Sequence, residues 1–146
     1  TILSQSIYPK INRELNVGFI RKMCSISLAM NVSIALIVCS LGDTIVDVLG
    51  GVGMRGATEV LKILLITVPV VGLSNFFGIQ MLIPFGYRKS FSRIVSFSAI
   101  LYFGIVGILW IFKILTVISI SICLVTVEIV VAVLMYNETK KRKIWT

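Results

Sequence analysis

Four apolar runs, Met23–Leu41, Val60–Phe85, Ile94–Phe112 and Ile114–Tyr136, alternate with short stretches that hold almost all the charge. At about 1.5 Å per residue, each run is long enough as a helix to cross a hydrocarbon core roughly 30 Å thick. The third and fourth runs are almost continuous. A spanning helix needs only about 20 residues, so Lys113 divides them and a tight turn is predicted at Phe112–Ile114. The fourth run is rich in Val, Ile and Thr, a local strand signal. A lone strand in lipid leaves its backbone unpaired, so helix is the prediction there too. The expected fold is all-α: an integral membrane bundle of four transmembrane helices, with a short N-terminal interfacial segment.

The flanks divide into two further parts. Residues 1–22 read as the apolar end of a preceding helix, Thr1–Tyr8, then Pro9 and a polar stretch. Within Lys10–Lys22, Ile11, Leu15 and Phe19 recur at helical spacing among Lys10, Arg13, Arg21 and Lys22. That pattern suits an amphipathic helix on a cytoplasmic surface, with a plain solvated loop as the alternative. Residues 23–136 form the four-helix region, and residues 137–146 a basic tail. The chain starts with Thr1 and not Met, so a fragment or an incomplete reading frame is expected. No signal peptide precedes the first run.

Composition agrees with this organisation. Of 146 residues, 58% are hydrophobic and 14% are charged, against roughly 25% charged in soluble domains. The net charge of +8 would suit nucleic acid if it formed one patch. Its basic residues instead cluster at the ends of apolar runs, which suits a membrane surface, and no nucleic-acid partner is expected. Histidine is absent. Cys24, Cys39 and Cys123 are widely spaced inside apolar runs, so they read as packing residues, and no metal, cofactor or disulfide framework is predicted.

The charges also orient the runs. Lys10, Arg13, Arg21 and Lys22 precede the first, with Glu14. Asp43, Asp47 and Glu59 follow it, with Arg55. Arg88, Lys89 and Arg93 follow the second, and only Lys113 follows the third. Lys140, Lys141, Arg142 and Lys143 follow the fourth, with Glu138. Positive charge marks the cytoplasmic side. The predicted order is in, out, in, out, in, with both ends cytoplasmic in a multi-pass membrane protein.

Several motifs invite chemistry. Gly51, Gly53 and Gly56 fit G-x-G-x-x-G, but a nucleotide site needs a βαβ unit around it; here they read as a flexible turn between two spans. Asn31-Val-Ser33 and Asn137-Glu-Thr139 fit the glycosylation sequon, one inside a span and one on the cytoplasmic side, and neither suits an acceptor. Glu128 stands past the middle of the fourth run. A carboxylate at a helix centre costs roughly 2.5–3.5 kcal/mol, offset by about a dozen Leu, Ile and Val residues at roughly 0.3–0.6 kcal/mol each. Glu128 should turn away from lipid, on a face shared with Ser121, Val125 and Ala132, a seam suited to close packing. Two readings stand for it: a proton or ion relay or counter-charge in a substrate path, and a structural polar contact.

Asn75 and Gln80, with Ser74 and Gly78, would line a cavity or bridge helices. Pro69 should bend that helix. Lys62, near the periplasmic end, either snorkels or faces an anionic ligand. Gly104 and Gly107 would allow a close helix approach. Tyr102, Trp110 and Trp145 suit interfacial anchors or packing residues. No hydrolytic triad, P-loop or nucleophile with a base is present, so no enzyme activity is predicted.

The segment Ala57–Phe91, ATEVLKILLITVPVVGLSNFFGIQMLIPFGYRKSF, resembles the Wzx-type polysaccharide flippases of the MOP superfamily. The Gly78-Ile-Gln80-Met-Leu-Ile-Pro84-Phe-Gly86 stretch, with the basic residues after it, carries most of the likeness. Ile7-Tyr8-Pro9-Lys10-Ile11 is similar to a Pro-containing junction of that family, and Glu128 to an acidic residue of its last helix. The resemblance implies two lobes of helices around a central cavity, this chain matching the end of the eighth helix and helices nine to twelve. It implies a C-terminal part of a transporter that flips undecaprenyl-pyrophosphate-linked oligosaccharide (O-antigen repeat units) across the inner membrane by alternating access. Partners would be that substrate, membrane lipids and the polysaccharide polymerisation machinery. Without the first lobe, these residues alone should not transport. Two alternatives are a drug or metabolite antiporter of the same superfamily and a small four-helix protein that assembles as a structural or pore-forming oligomer. The substrate or ion pathway is expected at Glu128, Asn75, Gln80 and Lys62.

Overall fold

The computed structural model describes residues 17–51, 55–142 and 144. The N-terminal junction through Asn16, Gly53, Lys143 and Trp145 lie outside them. Helix α1 is Val17–Ser40 and α2 is Gly42–Gly50. α3 is Arg55–Leu65 and α4 is Thr67–Asn75, continued by a π-helical segment, Phe76–Leu82. α5 is Arg88–Ile111 and α6 is Val117–Lys141. No strand occurs among the described residues. Among the described residues, four helical stretches are long and apolar enough to cross a membrane: Arg21–Ser40, Gly56–Leu82, Arg88–Ile111 and Val117–Lys141. The chain is therefore a helical membrane bundle, as the four apolar runs required. The β-rich fourth run is helical, because only a helix pairs its backbone within itself.

α6 is the central element. It packs on α3, α4 and the π segment on one side and on α5 on the other, while α1 packs on α3 and α4. The buried core joins Cys24, Phe76, Phe77, Met81 and Leu82 to Cys123, Val127, Val131, Met135 and Ile144. The fully buried side chains Phe76, Met81, Leu82 and Thr139 lie toward the end where α5 begins and α6 stops. Cys39, unlike the other two cysteines, is exposed.

Local chemistry explains the interruptions. Pro69 has no N–H for the carbonyl of Leu65, four residues earlier, and α3 stops there. The Thr67 hydroxyl donates to the Leu64 carbonyl, and the Ile66 amide donates to Ile63 at 3.2 Å. The expected bend is thus a one-residue break. The π segment has wide turns, with the Ile83 amide donating to Gly78 at 3.2 Å. Pro84 and Gly86, the latter at φ 86°, end the span. The predicted turn between the last two spans occurs at Phe112–Thr116, with Lys113 at φ 55°. Thr116 caps α6 by accepting from the Ser119 amide at 3.1 Å.

Three expectations need correction. The connection after the first span is largely helix, since α2 fills Gly42–Gly50 and α3 starts at Arg55. Ile45, Val46 and Leu49 give α2 an apolar side, which forms a groove of about 430 Å³ with Ala57, Val60, Leu61 and Leu64 of α3. α6 runs past Tyr136 to Lys141, so much of the tail is helical, and Thr139 is buried within it. Gly104 and Gly107 approach nothing: a Cβ there would meet open space.

The close approaches occur at other glycines. A Cβ on Gly78 would lie 2.7 Å from Met135 Sδ and 2.7 Å from Phe91 Cε2, and one on Gly72 would lie 2.7 Å from Asn31 Nδ2. Gly78→Ala is therefore expected to cost about 1–3 kcal/mol by overpacking. Gly104→Ala should gain about 0.5–1 kcal/mol from helix propensity. Thermal unfolding in detergent checks both, and equal shifts of one sign would refute this packing assignment.

Candidate functional site

Glu128 stands in the packed arc of α6. At about 100° per residue it falls between Ser121 and Val125 on one flank and Val131 and Met135 on the other, all buried. Its own side chain is half-buried. No hydrogen bond or ion pair engages its carboxyl among the described residues. The contact of Gly78 with Met135 sets the register of the second and fourth spans, which run in the same direction. Glu128, seven residues before Met135, therefore lies about 10 Å beyond that contact, level with Val71–Gly72.

At that level α4 is flanked by α6 and α1. Gly72 receives Asn31 of α1, whose amide donates to the Ser27 carbonyl at 2.7 Å. Ser74, also buried, donates its hydroxyl to Val70 at 3.1 Å. Sequence reasoning treated Asn31 only as part of a sequon. Its spacing from Ser27, four residues earlier and on the same helix face, was the available signal.

The other candidates meet different fates. Asn75 is exposed, on a face of α4 that the other described helices leave uncovered. Gln80 is buried, only 6% exposed, and its Oε1 accepts no hydrogen bond among the described residues. Lys62 pairs with Asp43 of α2 at 3.7 Å, with both side chains well exposed. Such a pair contributes at most about 1 kcal/mol. It ties α2 to α3 at the acidic end of the bundle. Lys62 and Gln80 lie roughly 27 Å apart along the span at 1.5 Å per residue, so the four candidates do not form one cluster.

A further set escaped the sequence reading. The Arg142 guanidinium lies 4.6 Å from the centre of the Tyr87 ring and pairs with Glu138 at 3.0 Å. This joins the end of α6 to the start of α5. The Glu138–Arg142 spacing was a visible helix-pair signal; Tyr87 as the third member was not.

Chemically, an unpaired carboxyl in the packed arc of a spanning helix can exchange a proton or attract a cation. A buried, unfilled amide oxygen is a destabilising feature unless something donates to it. Gln80→Leu is accordingly expected to raise stability by about 1–3 kcal/mol, read as a higher unfolding midpoint in detergent. A fall of similar size would mean that the amide oxygen has a partner.

Comparison with known proteins adds one relative. The chain is 28% identical, over 97% of its own length, to an Escherichia coli (strain K12) protein named "Putative O-antigen transporter". It spans 35% of the length of that protein. The likeness to this "Putative O-antigen transporter" therefore extends well beyond Ala57–Phe91, along nearly the whole chain. No family model and no solved structure matches the chain.

Proposed function

We propose that this chain is part of a transporter that flips undecaprenyl-pyrophosphate-linked oligosaccharide, the O-antigen repeat unit, across the bacterial inner membrane by alternating access. The observation that carries the reading is the similarity to the Escherichia coli relative along 97% of the chain. Four spanning helices and the unpaired Glu128 carboxyl agree with it.

In this reading the end with Arg88, Lys89, Arg93, Lys140, Lys141 and Arg142 faces the cytoplasm, by the positive-inside rule. Glu128 serves as the proton or ion relay, because no fixed cation of the described bundle neutralises it. Asn75, a polar amide on an uncovered face, borders the path, and the enclosed Gln80 oxygen joins it only when the π segment opens. Lys62 contacts an anionic group only by exchanging Asp43 for it, so it is the weakest of the four. Contact with the polysaccharide polymerisation machinery belongs to the same reading.

Deleting the intact gene should abolish surface O-antigen and accumulate lipid-linked repeat units, measured by lipopolysaccharide gels and lipid extraction. Unchanged surface polysaccharide would end the proposal. Glu128→Gln, restored to the deletion strain, should lower O-antigen display and flatten its pH dependence. Normal display across the pH range would remove Glu128 from the relay and leave it a packing residue.

A further inference from the structure

The end of the bundle where α5 begins and α6 stops carries a surplus of cations over carboxylates among the described residues. Arg88, Lys89 and Arg93 on α5 and Lys140 and Lys141 on α6 are all exposed. No salt bridge engages them among the described residues; the one described carboxylate in their midst, Glu138, is paired with Arg142, hydrogen-bonded by Ser90 and attracts Lys141 as well, which leaves Arg88, Lys89, Arg93 and Lys140 without a carboxylate of their own. Because Arg142 also stacks on Tyr87, at the head of α5, the two helix ends are held side by side. The cations of both helices therefore share one ledge.

Above the ledge the surface becomes apolar within two turns. On α5, Lys89, Arg93, Ser96 and Ile100 succeed one another at spacings of four, three and four along one exposed stripe. On α6, Lys140, Tyr136, Val133 and Ile129 do the same in the opposite chain direction, and all four are exposed. Each stripe thus presents cation first, then a hydroxyl-bearing residue, then hydrocarbon. That sequence matches the long axis of a phospholipid whose headgroup is anionic: phosphate at the ammonium and guanidinium groups, glycerol at the hydroxyl level, acyl chains along Ile100, Val133 and Ile129.

We propose that this ledge is a binding surface for diacyl phospholipids with anionic headgroups, of the phosphatidylglycerol or cardiolipin class. The inference goes beyond the transport reading and rests only on the chain's being a membrane protein. Charge complementarity selects the occupant. A zwitterionic headgroup brings no net charge to these four unpaired cations, whereas an anionic one does. Basic residues beside an anionic lipid surface each contribute on the order of fivefold in affinity.

The test uses the full chain purified in a neutral detergent and mixed with equal amounts of phosphatidylethanolamine, phosphatidylglycerol and cardiolipin. Native mass spectrometry then counts the lipids retained. Anionic lipids should be retained at least about fivefold over phosphatidylethanolamine, and the preference should weaken as salt rises. The variant K89Q/R93Q/K140Q should lose most of that preference. Lys113→Gln, at the opposite end of the bundle, should keep it. Because the preference is read first on the unaltered chain, a variant that fails to fold does not spare the proposal. Equal retention of zwitterionic and anionic lipid would overturn it, as would a preference unmoved by the triple substitution. Complete displacement of the lipids by millimolar inorganic pyrophosphate would also overturn it, by showing a site for soluble anions in which the acyl chains have no part.

Discussion

Hydrocarbon offers the backbone no hydrogen-bonding partner, and most of this fold follows from that constraint. It makes α6 a helix although its Val, Ile and Thr content favours strand. It turns the hydroxyls of the spans inward on their own helices: Ser121 donates to Val117 and Thr126 to Ile122, each at 2.8 Å. It also shapes the irregular places. Where Pro69 takes a donor away, the Thr67 hydroxyl and the Ile66 amide satisfy carbonyls one turn earlier. Where the second span widens into π geometry, its amides reach back five residues and still find acceptors. Gln80 Oε1 is the buried side-chain acceptor that escapes the rule among the described residues.

The four spans were legible because length decides them. A run of about 20 apolar residues needs no periodicity to be read, and Lys113 marked the turn between the last two. α2 was not legible, since Asp43, Asp47 and three glycines around it resemble a loop. Its helix depends on an apolar side meeting α3. Glycine roles failed for a related reason. Gly104 and Gly107 are spaced like packing residues but sit on an open face, while Gly72 and Gly78 meet Asn31, Met135 and Phe91. Spacing shows which residues share a face, not whether anything lies opposite.

The candidate site divides along the same line. Glu128 could be singled out from sequence because a carboxylate inside an apolar run is costly wherever it points. Asn75 and Gln80 carry the same chemistry five residues apart, yet one is exposed and the other enclosed. Five positions turn a helix by about 140° net at about 100° per residue, so the two face different ways, and no residue type announces which of those faces is covered. Lys62 likewise could not be assigned its partner, because Asp43 lies on an element the sequence hid.

Packing is uneven along the bundle axis, and the unevenness bears on motion. At the basic end the second, third and fourth spans interlock through Gly78, Phe91 and Met135, and Arg142 on Tyr87 adds a polar clasp. At the other end α2 and α3 enclose an apolar groove, and an exposed ion pair is what links Asp43 to Lys62. Helix association in lipid rests on close van der Waals contact and hydrogen bonds, because burial from water no longer drives it. The end with the contacts is therefore the stiff one, and relative tilting of the spans costs least at the end with the groove. Glu128 and Gly72 lie between the two regimes, beyond the Gly78–Met135 contact. A change in the charge of Glu128 there acts where small rotations about the basic end already become displacements.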